Sequence, residues 1–245
     1  GYIEPHSRPD TAALAEGVPT LAPKKLSYRN IAISEFDLDG ALARKPSLIL
    51  VDELAHTNAE GSRNKKRYQD IEELLNAGID VFTTMNVQHV ESLNDVVQRI
   101  TGVAVRETVP DYIIDQADKV KLVDIDPEEL LKRFSEGKVY SLDRVTVARR
   151  HFFTIGNLSS LREISMRKAA DRVSRDADRE KKDGAERILV CIGPSPSSAS
   201  CLRAASRMAD AWHASWVAVT VLRGEESEGL RENTGLAGRL GAKIV

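Results

Sequence analysis

The chain has 245 residues, 42% hydrophobic and 29% charged, with a formal net charge of −2. That length suits one or two globular domains with cores of their own, and the charge argues against a nucleic-acid surface. No apolar run approaches the ~20 residues of a membrane helix.

The start, Gly1-Tyr2-Ile3-Glu4, lacks the basic and apolar regions of a signal peptide. It also lacks an initiator Met, so the chain reads as a piece of something longer. Cys191 and Cys201, the two cysteines, fit neither a zinc pair nor a disulfide framework. They are expected to be reduced, packed thiols of a cytosolic protein.

In chain order, Tyr2 to Glu4 read as a strand tail and Asp10 to Glu16 as a short helix stopped by Gly17 and Pro19. Lys25–Tyr28 and Ile31–Phe36 suggest a hairpin around Arg29-Asn30. Leu48 to Val51 is a continuous apolar run that ends in Asp52-Glu53 and then a polar His-Thr-Asn, which predicts a strand buried on both faces of a parallel sheet. Arg67–Ala77 carries a helical stripe (Tyr68, Ile71, Leu74, Leu75) closed by Gly78. A strand follows at Asp80–Val87 and an amphipathic helix at Val90–Thr101. Two more strands are expected at Val103–Thr108 and Lys119–Ile125. Asp126-Pro127-Glu128-Glu129 opens a helical region that runs to about Arg179. Ser174–Ala185 reads as a charged helix end and linker. A second α/β unit then begins: strand Arg187–Ile192, loop Gly193–Ser198, helix Ala199–Ala214, strand Ser215–Leu222, helix Leu230–Leu240 and a last strand from Ala242.

The acidic pair is the strongest chemical signal. Carboxylates at the end of a parallel strand lie where open α/β sheets bind ligands. The pattern is that of a Walker-B strand, in which Asp52 holds Mg²⁺ through water and Glu53 polarises a water aimed at a γ-phosphate. A strand ending in a solvated acidic turn is the competing reading. Asn86 and Gln88, in Thr84–His89, fit either phosphate sensing beside Asp52 or an ordinary strand-to-helix turn. His56 fits either phosphate contact or a hydrogen-bonded structural role. Arg8 suits phosphate, a pairing with Glu53, or a solvated turn. Arg63, Lys65, Lys66 and Arg67 read as a solvated basic face, with an arginine-finger role as the rival. Ser195, Ser197 and Ser198 precede a helix N-terminus and suit either a phosphate or helix capping.

No G-x-x-x-x-G-K-[ST] occurs; Gly137-Lys138 is followed by Val. Without that loop nothing cradles the β- and γ-phosphates, so the chain as it stands is expected to bind ATP poorly or not at all.

GYIEPHSRPDT, the block LILVDELAHTNAEGSRNKKRYQDIEELLNAGIDVFTTMNVQHVESLNDVV and RILVCIGPSPSSAS together resemble the KdpD family, the osmosensitive potassium-sensor histidine kinases of bacteria. The resemblance covers almost the whole chain. It implies a P-loop-NTPase-like α/β domain over 1–173, here without its Walker A strand and loop. A charged linker over 174–186 and an incomplete universal-stress-protein-like α/β domain over 187–245 would follow.

It further implies a cytoplasmic regulatory region, at the cytoplasmic face of the bacterial inner membrane. That region would couple nucleotide or ion state to the kinase and phosphatase output of a two-component sensor controlling high-affinity potassium uptake. The implied partners are the membrane and kinase domains of the same protein, a cognate response regulator reached through the kinase domain, and a second copy in a homodimer. ATP with Mg²⁺ is the implied ligand of the first domain. A cyclic dinucleotide is that of the second, through the loop with Ser195, Ser197 and Ser198. Histidine-kinase chemistry is not carried onto any residue, because none of the five histidines matches the phospho-accepting box. Two rivals stand beside this: a fragment of a stand-alone P-loop ATPase or kinase, and a docking scaffold with a dead nucleotide site.

Overall fold

The computed structural model describes residues 3, 9–28, 31–136, 152–178, 187–212, 214–221 and 226–245. Arg8 and residues 179–186 of the expected linker lie outside them. The chain is mixed α/β and forms two compact units, Gly1–Asn86 with Leu130–Thr146, and Val87–Glu129 with Val147–Val245.

The first unit runs α1 (Pro9–Ala15), β1 (Lys24–Tyr28), β2 (Ile31–Glu35), α2 (Leu38–Arg44), β3 (Leu48–Val51), α3 (Arg67–Asn76) and β4 (Asp80–Thr83). β1 and β2 form the expected antiparallel hairpin, with Leu26 opposite Ile33. β3 and β4 pair in parallel, with Leu48 opposite Asp80 and Val51 opposite Thr83. Helix α2 was not anticipated. Asp37 caps it by accepting the Gly40 N–H at 3.1 Å, and Lys45 closes it in a left-handed conformation at φ 46°. In α3, Ile71 and Leu74 face the core, and the Gln69 side chain accepts the Lys66 N–H at 3.0 Å, satisfying one orphan donor of the first turn.

Two strand expectations need correction here. β4 ends at Thr83 rather than Val87, because the chain turns there into a 3-10 turn at Val87–His89. β3 is buried on one face only. Ile49 and Val51 are buried with Leu54, Ile71 and Leu74, while Leu48 and Leu50 are 44% and 36% exposed and Phe82 of β4 is 66% exposed. A continuous apolar run implies two covered faces only where structure lies on both. Here the described residues cover the face that carries Ile49 and Val51.

The second unit opens with 3-10 turns at Val87–His89 and Glu91–Leu93, so the α-helical part of the expected 90–101 helix begins only with α4 (Asn94–Thr101). α5 (Asp111–Gln116) and the long α7 (Ile155–Asp178) follow in this unit, while α6 (Pro127–Ser135) spans the division, with residues 130–135 counted in the first unit. Neither expected strand between α4 and α6 forms. In 103–108 the backbone bonds go to side chains: the Val105 carbonyl accepts from Asn94 Nδ2 at 2.7 Å and the Glu107 carbonyl lies 2.8 Å from His89 Nδ1. All that remains of pairing is an isolated parallel bridge between Val90 and Val109. Residues 119–125 have no strand neighbour among the described residues, and Val123 is 85% exposed.

The C-terminal part is a three-stranded parallel sheet in the order β5 (Arg187–Cys191), β6 (Ser215–Val219), β7 (Lys243–Ile244), with α8 (Ser197–Trp212) and α9 (Glu228–Arg239) as crossovers. Its core is Leu202, Ala205 and Ala209 of α8, Trp216 and Ala218 of β6, and Leu236, Ala237 and Leu240. Period-two alternation then puts Cys191 and Leu189 on the other, open face, and Cys201 lies on the outer side of α8. Both cysteines are therefore exposed, not packed as expected.

Polar bonds tie α8 to the turns before α4. Arg203 pairs with Glu91 at 3.3 Å, and Arg207 pairs with Asp95 at 2.8 Å and donates to the Ser92 carbonyl at 2.6 Å. Lys168 of α7 joins Asp111, at 3.1 Å, to Asp210 of α8, at 2.9 Å. Burial alone would lower the Lys168 pKa. The two carboxylates outweigh it and hold the ammonium above its ordinary range.

Candidate functional site

The parallel register of β3 and β4 carries the acidic pair to the carboxyl ends of both strands, the edge at which parallel sheets present ligand-binding loops. Asp52 and Glu53 are both half-buried. The residue of β4's end that meets them is Thr84, which the sequence did not single out. Its hydroxyl is bonded to Asp52 Oδ1. The Glu53 N–H donates to Asp52 Oδ1 at 3.1 Å and to Thr84 Oγ1 at 3.3 Å, and the Leu54 N–H donates to the Thr84 carbonyl at 3.0 Å. Glu53 sits at φ 58°, in the left-handed region that a residue with a Cβ rarely adopts.

Asn86, two residues beyond Thr84, is exposed, and Gln88 falls in the Val87–His89 turn of the second unit. His56 is tied to neighbouring carboxylates: its Nε2 lies 3.1 Å from Glu35 Oε1, and its Nδ1 lies 3.9 Å from Glu53 Oε2.

Arg67 corrects the basic-face reading. It is completely buried, and its Nη2 donates to Glu35 Oε2 at 2.9 Å. Its Nε donates to Asn58 Oδ1 at 3.2 Å, Asp70 lies 3.5 Å away, and the guanidinium stands over the Phe36 ring. Burial pushes the Asp70 carboxyl up, against the pull of hydrogen bonds from Asn58 and Asn64 and of the Arg67 charge. The signal for this was thin in the sequence, because the partner Glu35 lies 32 residues away on another element.

A cavity of about 390 Å³, lined by Val18, Leu21, Ala41, Arg44, Leu48 and Leu50 among others, lies by the start of β3 and not by its acidic end. Among the described residues no group of three or more His, Cys, Asp or Glu is arranged to hold a metal. The donor set at the strand end is two carboxylates and a hydroxyl. It suits a hard cation that keeps most of its ligands as water or phosphate, as Mg²⁺ does, and not one needing a protein cage.

The second candidate, Gly193–Ser198, is closed on itself. Ser198 is buried and its hydroxyl accepts the Gly193 N–H at 3.1 Å. Ser195 and Ser197 are exposed, with hydroxyls 2.8 Å apart. Asn233 of α9 donates to the Gly193 and Ser195 carbonyls at 2.8 and 3.0 Å. Gly229 allows this approach, since a Cβ there would stand 2.6 Å from the Pro194 carbonyl oxygen.

Fold and site together define an α/β chain with small parallel sheets and, among the described residues, a polar cluster at an acidic strand end. Residues 1–173 match the family model described as the osmosensitive K+ channel His kinase sensor domain, KdpD. Over the full chain the sequence is 51% identical to the Sensor protein KdpD of Clostridium acetobutylicum, of which it spans 29%. It is 54% identical over 91% of the chain to the Sensor protein KdpD of Escherichia coli K12, of which it spans 26%. It is 44% identical over 85% of the chain to the Putative sensor protein KdpD of a Synechocystis strain, of which it spans 58%. The chain belongs to the KdpD family, the sensor kinases of potassium-uptake regulation. No helix among the described residues is long and apolar enough to cross a membrane.

Proposed function

We propose that this chain is a regulatory input region of a KdpD-type sensor histidine kinase and that its first unit, of P-loop-like ancestry, responds to a magnesium nucleotide at Asp52 and Glu53. The observation that supports this reading is the parallel β3–β4 register, with both carboxylates following the carboxyl end of β3, where open α/β sheets commonly bind ligands, and with Thr84 bonded to Asp52. In this reading Asp52 holds the cation through water, Glu53 orients a water toward the terminal phosphate, and Thr84 keeps Asp52 in place. Asn86 is proposed to serve the phosphate side. A bound Mg²⁺ would supply charge neutralisation of the phosphates.

The output is coupling and not turnover. A regulatory ligand shifts kinase and phosphatase states only by its differential affinity for them. The membrane and kinase domains of the same polypeptide, the response regulator and a second copy in a homodimer are the partners such an input serves, at the cytoplasmic face of the membrane. The C-terminal part, of universal-stress-protein type, is proposed to offer Ser195, Ser197 and Ser198 to a phosphate-bearing dinucleotide, with the loop opening from its self-bonded state.

Calorimetric titration of Mg·ATP into the protein expressed from its natural reading frame tests the first site. Binding that needs Mg²⁺ and weakens at least about tenfold, ~1.4 kcal/mol, in Asp52→Asn supports it. Equal affinity in both proteins rejects it, and multiple turnover of ATP without any change in kinase output favours the stand-alone enzyme.

A further inference from the structure

The peptide group between Asp52 and Glu53 is gripped at both polar ends. Its N–H donates to Asp52 Oδ1 at 3.1 Å and to Thr84 Oγ1 at 3.3 Å. Its carbonyl, on Asp52, accepts from Arg67 Nη1 at 3.4 Å. The remaining nitrogens of the same guanidinium reach Glu35 and Asn58. Glu35, in turn, accepts the Ala59 N–H at 2.9 Å and faces His56 Nε2 at 3.1 Å, and the His56 N–H donates to the Glu53 carbonyl at 3.0 Å. One buried ion pair thus contacts the backbone at Asp52 and Ala59 and, through His56, the turn that begins at Glu53.

We propose that Arg67, with Glu35, is a positioning pair that fixes the orientation of the 52–53 peptide and holds Glu53 left-handed, so aiming the two carboxylates. This deepens the nucleotide-site reading in what is aimed and for what, but the geometry of the clamp needs no ligand.

A buried ion pair stabilises a fold little better than apolar side chains of the same volume, so its value lies in geometry. The planar fork is what the clamp uses: three nitrogens reach three different acceptors at angles that one ammonium cannot reproduce. Glu53 would not adopt positive φ unaided. With the peptide plane fixed on both sides and the Glu53 carbonyl tied to His56, the left-handed basin is the one that closes the turn. Strain held by its surroundings at an acidic strand end is the pattern of a functional loop.

The test uses the 245-residue chain in solution. The Glu53 Cα and Cβ chemical shifts and its N–H to Hα coupling report φ, and amide exchange of Glu53, His56 and Ala59 reports the clamp. Arg67→Lys keeps the charge and removes the fork. The expected result is loss of the left-handed signature at Glu53 and at least about tenfold faster exchange at those three amides, with Leu74 and Leu75 of α3 unchanged. Thr84→Val, at an exposed position, releases the other end of the same peptide and is expected to speed exchange at Glu53 while α3 stays protected.

A folded Arg67→Lys protein that keeps the Glu53 signature and wild-type exchange overturns the proposal. If Arg67→Lys does not fold, unchanged Glu53 exchange in Thr84→Val overturns it instead. Loss of the signature in Arg67→Lys, found while the protein from its natural reading frame binds no Mg·ATP, supports the clamp and removes the nucleotide reading. The two can thus fail separately.

Discussion

Truncating one side of the Glu35–Arg67 pair should destabilise the first unit far more than replacing both. In Arg67→Leu the Glu35 carboxylate, 6% exposed, loses its cation and keeps only the Ala59 N–H and His56. Stranding a buried charge costs about 3–5 kcal/mol, and the two surviving partners put this case near the lower end, about 3 kcal/mol. In Glu35→Leu the guanidinium keeps Asp70 at 3.5 Å and Asn58 at 3.2 Å, so about 2–3 kcal/mol is expected. The double variant strands neither member of the pair; Asp70 loses the Arg67 charge there as it does in Arg67→Leu, so that cost cancels in the coupling, and it keeps the bonds from Asn58 and Asn64. The double variant gives up the bonds to Ala59, Asn58 and the Asp52 carbonyl at about 1 kcal/mol or less each, some 2 kcal/mol in all. The coupling energy is then about 3–4 kcal/mol. Denaturant unfolding should be followed by far-ultraviolet circular dichroism, because Trp212 and Trp216 both lie in the second unit and their fluorescence does not report on this pair. A coupling below about 0.5 kcal/mol would refute the view that the pair acts as a unit.

Glu53→Gly should raise the stability of the first unit by about 0.5–1 kcal/mol. The left-handed penalty at φ 58° is relieved and exceeds the backbone entropy a glycine adds; a lower unfolding midpoint than wild type in the same dichroism assay would count against the strain. Lys168 contributes through a folded-state pKa raised above 10.5. Its stabilisation is therefore fully present below pH 10.5 and lost as pH rises through the raised value. Lys168→Met should flatten the alkaline loss of stability in the tryptophan-monitored transition, and an alkaline limb identical to wild type would contradict the Asp111–Lys168–Asp210 link. Gly229→Ala should force the 193–198 loop away from α9, at about 1–3 kcal/mol. The readout is faster exchange of the Gly193 and Ser198 amides, and wild-type protection would show that the contact yields without cost.

The elements that were legible are those whose signal is local. Leu48–Val51, the stripe of Arg67–Ala77 and the Arg187–Ile192 strand need only a few neighbours in sequence to declare themselves, and each is present. The acidic strand end followed from the same run. Arg67 was illegible because a Lys-Lys-Arg stretch is solvated unless a distant acid folds over it, and Glu35 does. Thr84 is less legible than Asn86 because β4 ends at Thr83, four residues before the expected Val87. The strands expected at 103–108 and 119–125 have suitable residues, but a strand also needs a neighbour with open hydrogen-bonding groups. At Val105 and Glu107, Asn94 and His89 took those bonds instead. The left-handed Glu53 carries no sequence signal, since Gly and Asn are the residues that announce such a turn.

Paramagnetic broadening by Mn²⁺ with ATP tests the magnesium-nucleotide site most directly, since Mn²⁺ shares the oxygen-ligand preference of Mg²⁺. In the amide spectrum of the protein from its natural reading frame, substoichiometric Mn²⁺·ATP should erase the signals of Asp52, Glu53, Leu54 and Thr84 first, and Asp52→Asn should abolish that selectivity. Broadening that leaves those four amides sharp while other resonances fade would place the metal elsewhere and contradict the site.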